Sequence, residues 1–333
     1  MNDRNLSENE QNPGAGPAVE SAAFRRRIAF GVGMIFIIII AFAYLFLPRG
    51  CGRPSVNTEG IPFYLSSVDA PVLIRAAALG DTREVRRLIK AGALLDERDV
   101  FGGTALQAAI VFDRYGPAHE LIKAGAALGL TNADGHTALF IAVLRNNITI
   151  TKALIGAGAA VNGSDALVGY SPLLHAVRNG NTGLVRLLLE NGADSAFCDR
   201  EGNNALLLAA YWGWTEVFDY LRAGGMSLSA QNRQGMNALA LAAEGRRLAM
   251  VESLLRLGEK ELFAADNAGR SALHWAVFGG HPAVVRMLMD AGMDMHLPAR
   301  DGKSAYELAR DGQNLMLAEG MARWVVPASH WLE

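Results

Sequence analysis

The chain has 333 residues, of which 51% are hydrophobic and 19% are charged, and this balance excludes an intrinsically disordered protein. Its formal net charge of −2 lacks the basic excess that a nucleic-acid-binding protein needs. Two cysteines are too few for a disulfide scaffold or for a zinc site of four thiolates.

The N-terminal part combines a polar tail with a long apolar run. Residues 1–27 are predicted to form a disordered tail, because most of them are polar and Pro and Gly are clustered among them. Residues 28–47 carry no charge and no Pro, and as a helix rising about 1.5 Å per residue they would cross a hydrocarbon core of about 30 Å. A buried core helix and a cleaved signal peptide are the alternatives. A signal peptide has a shorter apolar region that ends at small residues, whereas this run ends in Phe46-Leu47-Pro48. The sequence therefore predicts an uncleaved transmembrane helix over residues 28–47.

Arginines on both sides of this helix predict its orientation. Arg25, Arg26 and Arg27 precede it, and Arg49 and Arg53 follow it. The excess on the N-terminal side predicts a cytoplasmic N-terminus and an extracytoplasmic C-terminal part, which in the bacterial source that we expect is periplasmic. The reverse topology is the alternative, since the difference is one charge.

Residues 48–68 are predicted to be a linker, because Pro recurs at positions 48, 54 and 62. The apolar triplet at 63–65 has two possible places. It could touch the lipid headgroups, or it could cover the open end of the domain that follows.

A repeat of 33 or 34 residues occupies residues 69–324, and its clearest column holds helix-capping residues. Seven of these eight residues have side-chain oxygens that can accept a hydrogen bond from the first helical turn. The column is Pro71, Thr104, Thr137, Ser171, Asn204, Asn237, Ser271 and Ser304. Gly lies two residues before seven of the caps, and alanine lies five residues after all eight. A further Gly lies 21 residues after the first seven caps, where a helix is expected to end.

Each repeat has room for two short helices between its cap and this late Gly. The second helix shows apolar residues at i, i+3 and i+4, as in Val185, Leu188 and Leu189. About ten residues then lead through a turn to the next cap. Both 34-residue steps place the extra residue in this loop, at 158–171 and at 258–271, which leaves the helices in register. We therefore predict about eight units, of which the first and the last are atypical.

Several segments resemble the T-P-L-H-x-A signature of the ankyrin-repeat family. They are Thr104-Ala105-Leu106, Ser171-Pro172-Leu173 and Ser271-Ala272-Leu273-His274-Trp275-Ala276. The resemblance implies an all-α solenoid of helix pairs joined by β-turn or hairpin loops, here preceded by one transmembrane helix. It also implies a structural role for His274. The chain departs from the signature in that Pro follows the cap only at Pro172 and the His is present only at His274.

The sequence contains no motif that indicates catalysis. G-x-x-x-x-G-K-[ST], H-E-x-x-H and C-x-x-C are all absent. A disulfide between Cys51 and Cys198 would require the repeats to fold back to the membrane. We therefore predict that the protein is not an enzyme and that it uses no cofactor, no metal ion, no nucleic acid and no small-molecule substrate.

The resemblance implies that a protein partner binds along the concave face of the first helices. The exposed positions are predicted to lie four, seven and eight residues after each cap. Trp, Tyr and Arg, which are enriched in interface hot spots, occur among them. The predicted partner-binding residues are Phe112, Ile141, His175, Arg178, Tyr211, Trp212, Trp214, Trp275 and Phe278. Packing between neighbouring repeats is the alternative role for such side chains.

Three functions fit these observations. The first is a membrane-anchored, non-enzymatic scaffold or adaptor that binds a protein partner. Within it, a periplasmic immunity protein that neutralises an envelope-acting toxin is an alternative based on analogy. The second is a structural protein that self-associates, for which Ala29 and Gly33 offer a small-residue pair. The third is an accessory domain of a bound enzyme. The C-terminal tail, residues 325–333, is expected either to cover the last repeat or to reach into the groove.

Overall fold

The computed structural model describes residues 71–99, 101–163, 169–312 and 314–324. The predicted N-terminal tail, transmembrane helix, linker and C-terminal tail lie outside these ranges. Within the ranges, no helix is both long enough and apolar enough to cross a membrane.

The described residues form eight helix pairs, which confirms the predicted all-helical repeat architecture. The first helices of the pairs are α1 (Val72–Leu79), α3 (Ala105–Val111), α5 (Ala138–Leu144), α7 (Pro172–Arg178), α9 (Ala205–Trp212), α11 (Ala238–Glu244), α13 (Ala272–Gly279) and α15 (Ala305–Asp311). The second helices are α2 (Thr82–Lys90), α4 (Tyr115–Lys123), α6 (Ile148–Gly156), α8 (Thr182–Glu190), α10 (Thr215–Ala223), α12 (Leu248–Leu257), α14 (Pro282–Asp290) and α16 (Leu315–Trp324). A short 3₁₀ helix, Lys260–Phe263, lies in the loop after α12. The described ranges contain no β-strand, and Pro298 and Ser304 form an isolated β-bridge.

The capping column begins the first helices as predicted. The side chains of six of its residues accept a hydrogen bond from the backbone N–H three residues later, which satisfies one of the free donors of the first turn. These residues are Thr104, Thr137, Ser171, Asn204, Asn237 and Ser304. The helix starts are therefore fixed by local chemistry.

The helices stack in two layers. Each first helix packs against the first helices of the neighbouring repeats, and each second helix packs against the neighbouring second helices. The alanine five residues after each cap is buried in all eight repeats, from Ala76 to Ala309. This confirms the prediction that a small side chain allows the first helices to approach closely. The core is continuous along the stack, so each repeat depends on its neighbours.

The loops between repeats are held by an Asp or Asn five residues before the cap. In five repeats its Oδ1 atom accepts backbone N–H bonds from the residues two and four positions later, which closes a tight turn. These residues are Asp99, Asn132, Asp199, Asn232 and Asp266. Backbone bonds also join the tips of successive turns, for example from Arg233 N–H to the Glu201 carbonyl at 2.9 Å. Among the described residues, such bonds therefore link neighbouring loops along one edge of the stack.

The ninth residue after each of the first seven caps has a positive φ, and Arg246 is a costly choice there. Gly fills this position in four repeats, whereas Arg246 adopts φ 61°. A left-handed conformation costs an L-residue other than Asn or Asp about 1–2 kcal/mol, which Gly does not incur. The greater conformational entropy of Gly in the unfolded chain offsets part of the stability gained by replacing Arg with Gly. We therefore expect Arg246→Gly to raise the free energy of unfolding in urea by about 0.5–1 kcal/mol. Arg222→Gly, at an exposed helical position in α10, should lower it by about 1 kcal/mol. A loss of stability with Arg246→Gly would contradict the strain argument.

Candidate protein-binding face

One row of side chains projects to solvent from the ends of the first helices. It consists of the seventh residue after each cap in the six repeats from the second to the seventh, and we call it the first-helix face. Its members are Val111, Leu144, Arg178, Tyr211, Glu244 and Phe278. Phe278 is 52% exposed, and Val111, Leu144 and Arg178 are also exposed, whereas Tyr211 and Glu244 are half-buried. Because the first helices stack in register, these residues line one surface of the repeats.

The prediction that the fourth residue after each cap is exposed is wrong for the middle repeats. Ile141, His175 and Trp275 are buried, at 5%, 4% and 8% exposure. Side chains on a helix tilt toward its N-terminus, so a residue one turn into the helix covers the loop that precedes it. His175 accordingly contacts Tyr170 edge to face, at a ring-centroid distance of 5.1 Å.

Trp275 shows the same packing against its own loop. Its indole N–H donates to Oδ2 of the buried Asp266 at 3.2 Å. The Arg270 guanidinium lies 4.2 Å from the centre of the Trp275 ring and also pairs with Asp266. In the repeats as stacked, Ile141, His175 and Trp275 have packing partners and offer little surface, and a partner contact at them stays a prediction.

The remaining predicted partner-binding residues are accessible to different degrees. Phe112, Tyr211 and Trp212 are half-buried, and Trp214 is 40% exposed. Trp214 also has a structural role, because its indole N–H donates to the Arg178 carbonyl of the preceding repeat at 3.1 Å. Binding at these positions, as at Arg178 and Phe278, stays a prediction.

Residues of three successive repeats meet around one indole ring. The guanidinium carbons of Arg178 and Arg247 lie 6.0 Å and 5.9 Å from the centre of the Trp212 ring, and Tyr211 contacts that ring edge to face. We call Arg178, Tyr211, Trp212 and Arg247 the Arg–Trp cluster. A guanidinium placed over Trp gains a cation–π attraction, which is strongest for this ring. The cluster forms only when the repeats are stacked.

Arg247 belongs to a column that sequence reasoning missed. The tenth residue after each cap precedes the second helix, and Asn147 and Asn181 cap that helix with their side chains. Arg114, Trp214 and Arg247 at this position instead donate to the carbonyl of the seventh residue in the preceding repeat. The acceptors are Ala78 at 3.2 Å, Arg178 at 3.1 Å and Tyr211 at 3.1 Å. These bonds satisfy helix-end carbonyls that would otherwise lack a partner. The signal available in the sequence was that this column mixes Asp and Asn, which can cap a helix, with Arg and Trp, which cannot.

His274 has the structural role that was predicted for it. Its Nδ1 atom accepts the Ser271 N–H at 3.1 Å, and its Nε2 atom lies 3.3 Å from the Lys303 carbonyl of the next repeat. Gln107 holds the same position in the second repeat, where its side chain accepts the Thr104 N–H and donates to the His136 carbonyl. His274 therefore links two repeats through its neutral form, and Gln can make the same two bonds.

The stability of the protein should fall as the pH falls below about 6.5, in part because of His274. Burial lowers the pKa of His274 below its ordinary value of 6.5, against the raising effects of the Lys303 hydrogen bond and of nearby Asp301 and Asp266. Below that value the unfolded chain binds a proton that the folded chain does not, so this contribution is complete above 6.5 and is lost progressively below it. Urea unfolding at about pH 7.5 and at about pH 5.5 measures this effect. Between these two pH values, the free energy of unfolding should fall less for His274→Gln than for the unmodified chain. His119→Gln, at an exposed position, should keep the full loss, and an equal loss in all three proteins would exclude His274 as the source.

The described residues give no support for a metal or a reactive thiol. No group of three or more His, Cys, Asp or Glu in this part of the chain is arranged to hold a metal ion. Cys198 is exposed at its surface, and partial desolvation together with the Asp199 carboxylate raises the pKa of its thiol. A raised thiol pKa disfavours the thiolate that nucleophilic chemistry requires.

Comparison with known families gives a match over most of the repeats. The family described as ankyrin repeats (3 copies) matches residues 73–165, 113–196, 146–232, 173–263 and 225–299, which together cover well over half of the chain. No curated protein matches the chain significantly.

Proposed function

Because the chain belongs to the ankyrin-repeat family, whose members are generally non-enzymatic interaction modules, we propose that it binds a protein partner on the first-helix face. The observation that carries this proposal is the row of exposed apolar side chains, Val111, Leu144 and Phe278, on either side of the exposed Arg178. Large exposed apolar side chains in one row favour an interaction surface. The Arg–Trp cluster at its centre has the residue types that dominate binding energy in protein interfaces.

We further propose that residues 28–47 anchor the protein in a membrane, with the repeats on the extracytoplasmic side. The uncharged apolar run and the arginine excess on its N-terminal side support this arrangement. Anchoring would restrict the repeats to one surface and raise their effective concentration toward partners there. A bacterial source would make that location the periplasm.

Photo-crosslinking in cells tests the binding proposal. A photoreactive residue is placed singly at Leu144 and at Phe278 on the first-helix face, with Ile148 and Leu248 as matched controls. The controls are similarly exposed, at 43% and 38%, but lie at the starts of the second helices α6 and α12. We expect the same protein to be crosslinked from both test positions and from neither control. Equal labelling from all four positions would contradict a dedicated face, and crosslinks to a second copy of the chain would assign the face to self-association.

Protease added to intact spheroplasts, from which any outer membrane has been removed, tests the topology. Digestion of the repeats with retention of the N-terminal tail is the expected result. Full protection of the repeats, followed by digestion after lysis, would reverse the orientation.

A further inference from the structure

We infer that the Arg–Trp cluster binds an acidic segment of the protein partner through its carboxylates. This inference rests on the proposed function and names the chemistry that the first-helix face selects. Arg178 and Arg247 form no ion pair with a carboxylate among the described residues, although nine arginine or lysine ion pairs occur elsewhere in them.

The contacts of the two guanidinium groups leave donors available. Arg247 uses Nε to bind the Tyr211 carbonyl at 3.1 Å, and its two terminal nitrogens have no partner among the described residues. The Arg178 side chain is exposed, while its backbone carbonyl accepts the Trp214 indole N–H. A guanidinium presents its N–H donors in the plane of the group, and a carboxylate can accept two of them in a fork.

The surroundings of the cluster favour a carboxylate over other ligands. Contact with Trp212 partly replaces water around both cations and limits their motion, which reduces the side-chain entropy lost on binding. Arg246, which is exposed, follows Glu244 and Gly245 and precedes the half-buried Arg247 in the chain, so a further cation lies next to the cluster in sequence. Glu244, which is half-buried, is the acidic member of the first-helix face in the repeat that carries Arg247.

The size of the positive patch favours a protein segment over a nucleic acid or a membrane. The two arginines at the Trp212 ring match one or two carboxylates, whereas a nucleic acid or an anionic bilayer requires a broad basic surface. The whole chain carries a formal net charge of −2, which opposes binding to an extended polyanion. The apolar side chains Leu144 and Phe278 on either side would contact apolar residues that flank the acidic ones.

Fluorine NMR of the full chain in detergent tests this inference. The five tryptophans are labelled with 5-fluorotryptophan, and Trp212→Phe assigns one resonance. A hexaglutamate peptide is the probe, and a hexaglutamine peptide is its uncharged control. We expect hexaglutamate to shift the Trp212 resonance saturably, with an apparent affinity at least about tenfold higher than that of hexaglutamine. Raising NaCl to about 0.5 M should abolish most of the difference.

Paired substitutions locate the site. Arg178→Gln with Arg247→Gln should weaken hexaglutamate binding about tenfold or more. Arg83→Gln with Arg222→Gln removes the same charge from exposed positions on the second helices α2 and α10 and should leave binding within about twofold. The unliganded spectrum of each variant reports whether the repeats stay folded.

Each adverse result overturns the inference in a distinct way. Equal shifts with both peptides would show that charge is not recognised, and an unaltered response in the Arg178/Arg247 variant would place binding elsewhere. Tighter binding of a short DNA duplex or of anionic vesicles, lost in the same variant, would assign the cluster to that class of ligand instead. A partner crosslinked in cells without a hexaglutamate response would retain the proposed function and reject this inference. A hexaglutamate response without a partner crosslinked in cells would retain the carboxylate site and reject the proposed function.

Discussion

Replacing Asn237 with Ala should lower the free energy of unfolding by about 3 kcal/mol, because one side chain makes two sets of bonds. Its Oδ1 atom accepts the Ala240 N–H at 2.9 Å and so caps α11. Its Nδ2 atom donates to the Leu262 carbonyl at 2.9 Å and also lies within 3.3 Å of the Glu261 and Ala264 carbonyls. Asn237 is 1% exposed, so water cannot replace these bonds without an opening of the loop. Urea unfolding followed by circular dichroism measures the loss.

Two further variants separate the cap from the loop. Asn204 caps α9 through the Leu207 N–H at 2.9 Å, and its side chain makes no equivalent bond to a loop in the described part of the chain, so Asn204→Ala should lower the free energy of unfolding by only about 1 kcal/mol. Asn237→Ser keeps an acceptor for the cap but removes the amide donor. Its loss of unfolding free energy should therefore lie between those of Asn204→Ala and Asn237→Ala. Equal losses for Asn237→Ala and Asn204→Ala would show that the loop bonds contribute nothing to stability.

Asn237 also illustrates what the sequence could predict of the fold. Its place in the capping column was enough to predict the start of α11, since a cap is a local interaction. The 34-residue step was also correctly predicted to place its extra residue in the loop at 258–271, where the 3₁₀ helix Lys260–Phe263 lies. The contact between the Asn237 amide and that helix joins residues 24–27 positions apart. Such a contact depends on the path of the loop, which periodicity does not specify.

The candidate site was predicted less completely than the fold. The seventh residue after the cap was correctly expected at the surface in four of the repeats from the second to the seventh, as Phe278 and Leu144 show, whereas Ala78 in the first repeat is buried. The fourth residue was wrongly expected beside it, because spacing on a helix places both residues on one side. The loop before the helix covers the fourth residue, as Asp266 does for Trp275. The exposure of a first-helix side chain in a repeat protein therefore depends on the neighbouring loop as well as on the helix face that carries the side chain.

Replacing Gly180 with Ala should lower the free energy of unfolding by about 3 kcal/mol, whereas Gly192→Ala should cost about 1 kcal/mol. Both glycines have a positive φ, of 68° and 84°, so both substitutions carry the left-handed backbone penalty. A Cβ atom at Gly180 would lie 2.7 Å from the Trp214 indole, whereas one at Gly192 would meet no atom within 4 Å. The difference between the two losses in urea unfolding isolates the steric contribution. Equal losses would mean that Trp214 moves away freely.

A double-substitution cycle tests whether Trp214 is the cause. In a Trp214→Ala background, Gly180→Ala should cost about as much as Gly192→Ala, because only the backbone penalty remains. The indole that must move in the single variant donates to the Arg178 carbonyl at 3.1 Å, at the end of α7 where the Arg178 side chain begins. Gly180→Ala should therefore also shift the 5-fluorotryptophan resonance of Trp212, which the Arg178 guanidinium contacts, while Gly192→Ala leaves it in place. The close approach that Gly180 allows thus contributes both to the stacking of the repeats and to the position of one cation of the Arg–Trp cluster.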